Sequence, residues 1–285
     1  MVLSHPPICS NVCGRLPQRI EMQTWHKSGT FLALELARAI SKACDYIFMS
    51  GWGPEAYARA LETPCSVTVH TSAEGWSSIR GRVQGPHAGM LHGRTAMAGR
   101  RMPYMSASST QLHFVREPFE LAASFYLFHL AGNECTKEYA TFCNQLQHES
   151  LQAGVLRTAQ HLLYAELPNM IREYRALQGK PNALTLRLED WDNAFSATLD
   201  SMLRFLSVNT SSAAGTSLRL KALHADMHGG SVMSPHTTHT NLSRDVEFKI
   251  YKTLLMNHQI CRALANYTYA LGYSHSLQAV MARCP

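Results

Sequence analysis

The chain has 285 residues, of which 46% are hydrophobic and 16% charged, and its net charge is +6. That balance supports a sizeable apolar core and excludes both a disordered polyelectrolyte and a small disulfide-only scaffold. No uninterrupted apolar run reaches the roughly 18 residues of a membrane-spanning helix, and residues 1–18 lack the apolar run of a secretory signal, so neither a membrane span nor a nucleic-acid partner is expected and a cytoplasmic protein is favoured over a fragment.

In chain order, Ile20 to Trp25 reads as a short strand, and Phe31, Leu32, Leu34, Leu36, Ala37 and Ile40 keep helical spacing over residues 30–43. A strand over 45–49, a helix over 54–62 and a strand over 65–70 follow. Gln111 to Val115 reads as a buried strand, and Pro118 opens a helix at the first-turn position, where its missing N–H costs little. Two long helical patterns cover about 137–154 and 155–177, a strand returns at 184–188, and a helix runs on through Leu203, Phe205 and Leu206. Residues 210–216 and 228–241, rich in Gly, Ser, Thr and His, read as loops or a lid, and one last helix spans about 242–271. Alternating strands and helices predict an α/β fold, a three-layer sandwich around a central parallel sheet. The domain reading is an N-terminal extension over 1–19 and one domain over 20–285, with loop or lid segments near 75–108 and 210–243.

Two strand-to-helix turns carry the chemistry. The first is Lys27-Ser28-Gly29-Thr30. Gly29 permits a tight backbone close to a ligand, the hydroxyls of Ser28 and Thr30 and the charge of Lys27 suit an anion, and the helix N-terminus adds its own N–H groups. The glycine follows the lysine, so the order is not the Walker pattern and an ATP or GTP hydrolase of that class is excluded. The second turn begins with Arg116, whose fork of donors suits a phosphate, and Ser124 lies eight residues further on. Two separate phosphate-binding turns fit a nucleotide carrying two separate phosphate groups. The stretch from Gly75 to Arg116 has six arginines and no acidic residue, a field that favours a polyanion.

Lys-Ser-Gly-Thr after the first strand, with Arg116-x-Pro118 and Ser124-x-Tyr126 after a later one, resembles the sulfotransferases that use 3′-phosphoadenosine 5′-phosphosulfate (PAPS). Leu184 to Asp190 and the helix after it are similar to that family's late strand and acidic pair, so the resemblance runs from about residue 20 to 208. It implies a P-loop-like nucleotide-binding topology and PAPS as the sulfuryl donor. Lys27, Ser28, Gly29, Thr30 and the adjoining Phe31 would lie on the 5′ side, and Arg116 and Ser124 on the 3′ phosphate. Phe31 stands where the family often has a second Thr, and the Arg-Lys-Gly segment of the cytosolic small-molecule enzymes is absent, which places the chain nearer the carbohydrate-type or divergent microbial members.

The implied reaction moves a sulfuryl group to a hydroxyl or amine of a small molecule or carbohydrate. Lys27 would stabilise the leaving phosphate without a metal, and a histidine would act as base. In the family that histidine commonly lies some twenty to thirty residues before the 3′-phosphate arginine, which singles out His92, then His87, with Glu35 and Glu74 behind them. A kinase-like transferase and a non-catalytic module that binds 3′-phosphoadenosine 5′-phosphate (PAP) are the alternatives. His224, His228, His236 and His239 match no zinc spacing and read as lid residues. The eight scattered cysteines contain no C-x-x-C pair and read as buried free thiols. Trp25 reads equally as a core aromatic or a base-stacking one, and Glu189 as a structural partner of a basic neighbour.

Overall fold

The computed structural model describes residues 13, 16–25, 27–50, 63–71, 109–133, 135, 139–225 and 244–284. Five strands form one sheet: β1 Arg19–Thr24, β2 Ile47–Ser50, β3 Ser66–Thr71, β4 Thr110–Val115 and β5 Ala183–Arg187. Their order is β2-β3-β1-β4-β5 and every pairing is parallel, as the alternation of elements predicts. The helices are α1 Thr30–Cys44, α2 Pro118–Leu130, α3 Ala140–His148, α4 Leu151–Tyr164, α5 Leu167–Leu177, α6 Leu188–Phe205, α7 Ala213–Leu223, α8 Arg244–Met256, α9 His258–Ala270 and α10 Leu277–Met281.

Alternation along the strands sends Ile20, Met22, Val67, Val69, Leu112 and Phe114 into an apolar core shared with Leu32, Leu36 and Ile40 of α1, Leu199 and Leu203 of α6, and Leu218 of α7. A second core gathers α2, α4, α5, α8 and α9 around Phe125, Leu162, Met170, Leu254 and Leu264. Glu21, Thr68, Gln111 and His113, one position out of phase with the apolar set, are buried as well. Burial without full compensation shifts their proton affinities: Glu21 rises to about 7 and His113 falls to about 3.

Several breaks differ from the sequence reading. The 137–177 region holds three helices, because Ser150 caps α4 by accepting from Ala153 N, and Pro168 sits in the first turn of α5. The last long pattern is cut at Asn257, whose side chain accepts from Ile260 N and starts α9. Residues 213–223 form a helix where an irregular stretch was expected, with Ser212 capping Gly215 N at 3.0 Å and Leu218 and Ala222 fully buried. The expected helix over 54–62, the segment 75–108 and residues 228–241 lie outside the described residues.

The described cysteines are not free thiols. Cys13 pairs with Cys44, Cys135 with Cys143 and Cys261 with Cys284, and Cys65 is also disulfide-bonded. Sequence spacing could not show this, because a bridge depends on which Cβ atoms the fold brings within reach. Disulfides are rare where thiols are kept reduced, so these bridges argue against the cytoplasmic placement. No described helix is long and apolar enough to cross a membrane.

Glu166, at the α4–α5 junction, is 5% exposed and its Oε2 has no hydrogen-bond partner among the described residues. Burial pushes its pKa up to about 7 from 4.5. The folded chain then keeps a proton that the unfolded chain releases, so stability contributed at low pH is lost as pH rises from 4.5 towards 7. Glu166→Gln removes that penalty. It should stabilise the fold by roughly 3–4 kcal/mol above pH 7 and change nothing below pH 4.5, at about 1.4 kcal/mol per pKa unit. Melting curves at the two ends of that range check this, and a pH-independent difference would refute it.

Candidate functional site

β1 and β4 are neighbours, with Ile20 opposite Thr110 and Gln23 opposite His113, so the turns that follow them emerge side by side. From β1 the chain crosses to β2 and β3 on one side, while β4 lies on the other. The gap between β1 and β4 is therefore the switch point of the sheet, where open parallel sheets bind ligands outside the strand ends.

The first turn is built around the peptide of Trp25. Its N–H donates to Ser28 Oγ at 2.6 Å, and its carbonyl accepts from Ser28 N at 2.8 Å and from Ser28 Oγ at 2.8 Å. The Ser28 side chain is thus fully buried as a component of the turn. Thr30 Oγ1 lies 3.1 Å from Thr24 Oγ1 and 3.4 Å from the Trp25 carbonyl. Lys27 and Gly29 both take left-handed backbone, with φ of 62° and 98°. Gly29 is the N-cap of α1 and has no side chain to cap with; no acidic residue lies in the first turn. The N-terminus of α1 is consequently a set of backbone donors at the positive end of the helix dipole.

Gly29→Ala should destabilise the chain by about 1–2 kcal/mol, the cost of left-handed backbone for an L residue. Steric room is not the obstacle, since a Cβ there would stand 3.4 Å from Leu188 and Phe114. Thermal melting measures the loss, and an unchanged midpoint would refute it.

The N-terminus of α2 is already filled. Glu117 caps it, accepting from Phe119 N at 2.7 Å and Glu120 N at 3.0 Å, and the same carboxylate accepts from Thr268 Oγ1 at 2.7 Å. Burial nevertheless raises the Glu117 pKa. Glu189 accepts from the Glu117 N–H and from the Tyr273 hydroxyl, both at 2.8 Å, so its partners are an amide and a phenol rather than a basic neighbour. An anion beside α2 would meet side chains and not the helix end.

The side chains from the two turns do meet. Arg116, 8% exposed, donates from one guanidinium nitrogen to the Lys27 carbonyl at 3.2 Å, and another nitrogen lies 4.0 Å from Glu120 Oε2. Lys27 Nζ rests 3.3 Å from the centroid of the Phe128 ring, a cation–π contact. Phe128 lies one turn beyond Ser124 on α2, so Ser124 belongs to the same strip of that helix. Phe31, half-buried, is the second residue of α1. Lys27, Gly29, Thr30, Phe31 and the buried Ser28 thus share one turn, which Arg116 ties to the second. His87, His92 and Glu74 lie outside the described residues. Glu35 is on α1 and pairs with Arg38.

The residues missed by sequence reasoning come from distant helices. Tyr251 of α8 places its buried hydroxyl among Glu120, Arg116 and Glu117, and burial and these carboxylates push its pKa up. Phe128 and Thr268 sit inside apolar helical patterns and gave no signal. No cluster of metal-ligating side chains occurs among the described residues.

No protein-family model matches the chain, and no curated protein matches it. Solved structures similar to it include two complexes with PAP. Mouse sulfotransferase SULT7A1 complexed with PAP has a TM-score of 0.49 and 11% identity, over 93% of this chain and 88% of that one. Retinol dehydratase in complex with androsterone and inactive cofactor PAP has a TM-score of 0.43 and 15% identity, over 94% of this chain and 84% of that one.

Proposed function

We propose that this chain is a PAPS-dependent sulfotransferase that moves a sulfuryl group to a hydroxyl, or an amine, of a small molecule or carbohydrate. The observation that carries the reading is one helix N-terminus without a side-chain cap, that of α1, held beside a lysine and tied by Arg116 to a second anion-binding turn. The donor set fits a nucleotide with phosphates at both ends: backbone N–H groups and Lys27 for the 5′ side, Arg116 and Ser124 for the 3′ phosphate.

In this reading the acceptor oxygen bonds to sulfur, the bridging bond from phosphate oxygen to sulfur breaks, and the acceptor proton passes to a base, assigned to His92 or else His87. Donors fixed before the reaction at the growing charge of the leaving phosphate lower the barrier without reorganisation. Ser28 contributes by shaping the turn. Thr30 joins it to β1, and Phe31 supplies an apolar edge. The acceptor pocket would be lined by the 50–105 and 210–243 regions, within one domain over 20–285.

The test is calorimetric titration with PAP in the absence of Mg²⁺, with ADP and ATP as controls. Micromolar binding that depends on the 3′ phosphate is expected. Binding of ATP only with Mg²⁺ would hand the chain to the kinase-like class. PAP binding without transfer to any acceptor in a broad panel would make it a binding module.

A further inference from the structure

We propose that Trp25 is a positioning residue for the 5′-phosphate turn, its indole tethered to His113 so that the peptide from which the 27–30 turn hangs is held in place. The inference rests on the PAP-site reading above and assigns a task to a buried polar group that the reading leaves unused.

Three observations converge. Lys27 and Gly29 both sit at positive φ, with Ser28 between them. Left-handed backbone at a lysine is intrinsically unfavourable, so this turn needs an external hold. That hold is concentrated on the Trp25 peptide, which receives or gives every short hydrogen bond made by Ser28. The Trp25 side chain, 2% exposed, is itself fixed: its indole N–H donates to His113 Nε2 on the neighbouring strand at 3.3 Å.

A phenylalanine would keep an apolar aromatic ring there without a buried donor. Burying an indole N–H and an imidazole together costs desolvation that apolar packing avoids, and their pairing fixes the ring direction. Because the indole donates, His113 accepts through Nε2 and carries its proton on Nδ1. Full burial keeps the imidazole neutral, in the form able to accept. Glu173 of α5, 2% exposed, lies 3.8 Å from the same nitrogen, and burial raises its pKa well above the ordinary value. The tether thus joins the residue that follows β1 to β4, two residues before the turn that leads into α1.

The experiment compares PAP with adenosine 3′-monophosphate, which lacks the 5′ phosphate, on wild type, Trp25→Phe, His113→Leu and His113→Gln. Trp25→Phe and His113→Leu are expected to weaken PAP binding about tenfold and leave the 3′-monophosphate unchanged. His113→Gln keeps an acceptor oxygen and should restore most of the loss. If Trp25→Phe does not fold, the His113 pair decides alone. Unchanged PAP affinity in the folded variants, an equal loss for both nucleotides, or a His113→Gln no better than His113→Leu would overturn the role. Wild-type protein that binds neither nucleotide would instead overturn the PAP reading, and the tether's task with it.

Discussion

Arg116→Ala should weaken PAP binding by about 3 kcal/mol, more than a hundredfold in Kd. A charge-assisted hydrogen bond contributes roughly 1.5–3 kcal/mol, and here the same guanidinium has a second task, donating to the Lys27 carbonyl at 3.2 Å. Alanine removes the grip on the 3′ phosphate and also the tie that holds the two turns in register. It leaves Glu120 as an uncompensated carboxylate near the anion, where the arginine had stood 4.0 Å away. Arg116→Lys keeps the charge but lacks the planar fork and cannot serve both partners in the same geometry, so an intermediate loss is expected. Calorimetry with PAP and with adenosine 5′-monophosphate separates the two tasks, since the second ligand has no 3′ phosphate and should feel only the loosened tie. If Arg116→Ala bound PAP as tightly as wild type, the nucleotide would lie elsewhere and the whole site assignment would fall.

What the sequence disclosed depended on whether the governing physics was local. β1, α1, β4, α2 and β5 emerged close to their true bounds because apolar period and flanking Gly29 or Pro118 act within a few residues. Once β1 and β4 are adjacent, the meeting of Lys27 and Arg116 follows from the topology alone. Composition misled at 210–216, because Ser, Gly and Thr make loops and helix caps alike. There Ser212 caps α7 and Gly215 fits where a Cβ would stand 2.0 Å from the Asn209 carbonyl oxygen.

The hidden parts of the site are those set by packing. Ser28 in a phosphate turn reads as a ligand, yet its hydroxyl completes the turn, and Glu117 has no role in the sequence reading while the structure makes it the cap of α2. Nothing in the order of residues showed that β4 would direct His113 at Trp25, or that a strand face carrying Glu21, Gln111 and His113 would be buried. The buried polar face has a consequence for pH. Glu21 and Glu166 lose stability as pH rises towards 7, whereas the neutral His113 loses it as pH falls below 6.5.

Reduction of the disulfides should have the largest effect on the fold. The Cys13–Cys44 and Cys261–Cys284 bridges span 31 and 23 residues, and Cys135–Cys143 spans 8. By chain entropy the two longer loops contribute about 3 kcal/mol each or somewhat more. Together they match much of the roughly 5–15 kcal/mol that separates a folded domain from its unfolded chain. The first pins the segment before β1 to the end of α1, whose opposite end is the proposed anion site, and the second pins the chain after α10 to α9, from which Thr268 reaches Glu117. Cys13→Ser/Cys44→Ser should therefore lower stability by about 3 kcal/mol. Full reduction should bring unfolding within reach of body temperature, read by circular dichroism with and without dithiothreitol. A fold that is equally stable when reduced would show that packing alone holds these segments, and would restore the cytoplasmic placement. Loss of structure on reduction would instead assign the protein to an oxidising compartment, because a chain that depends on its disulfides cannot persist where thiols are kept reduced.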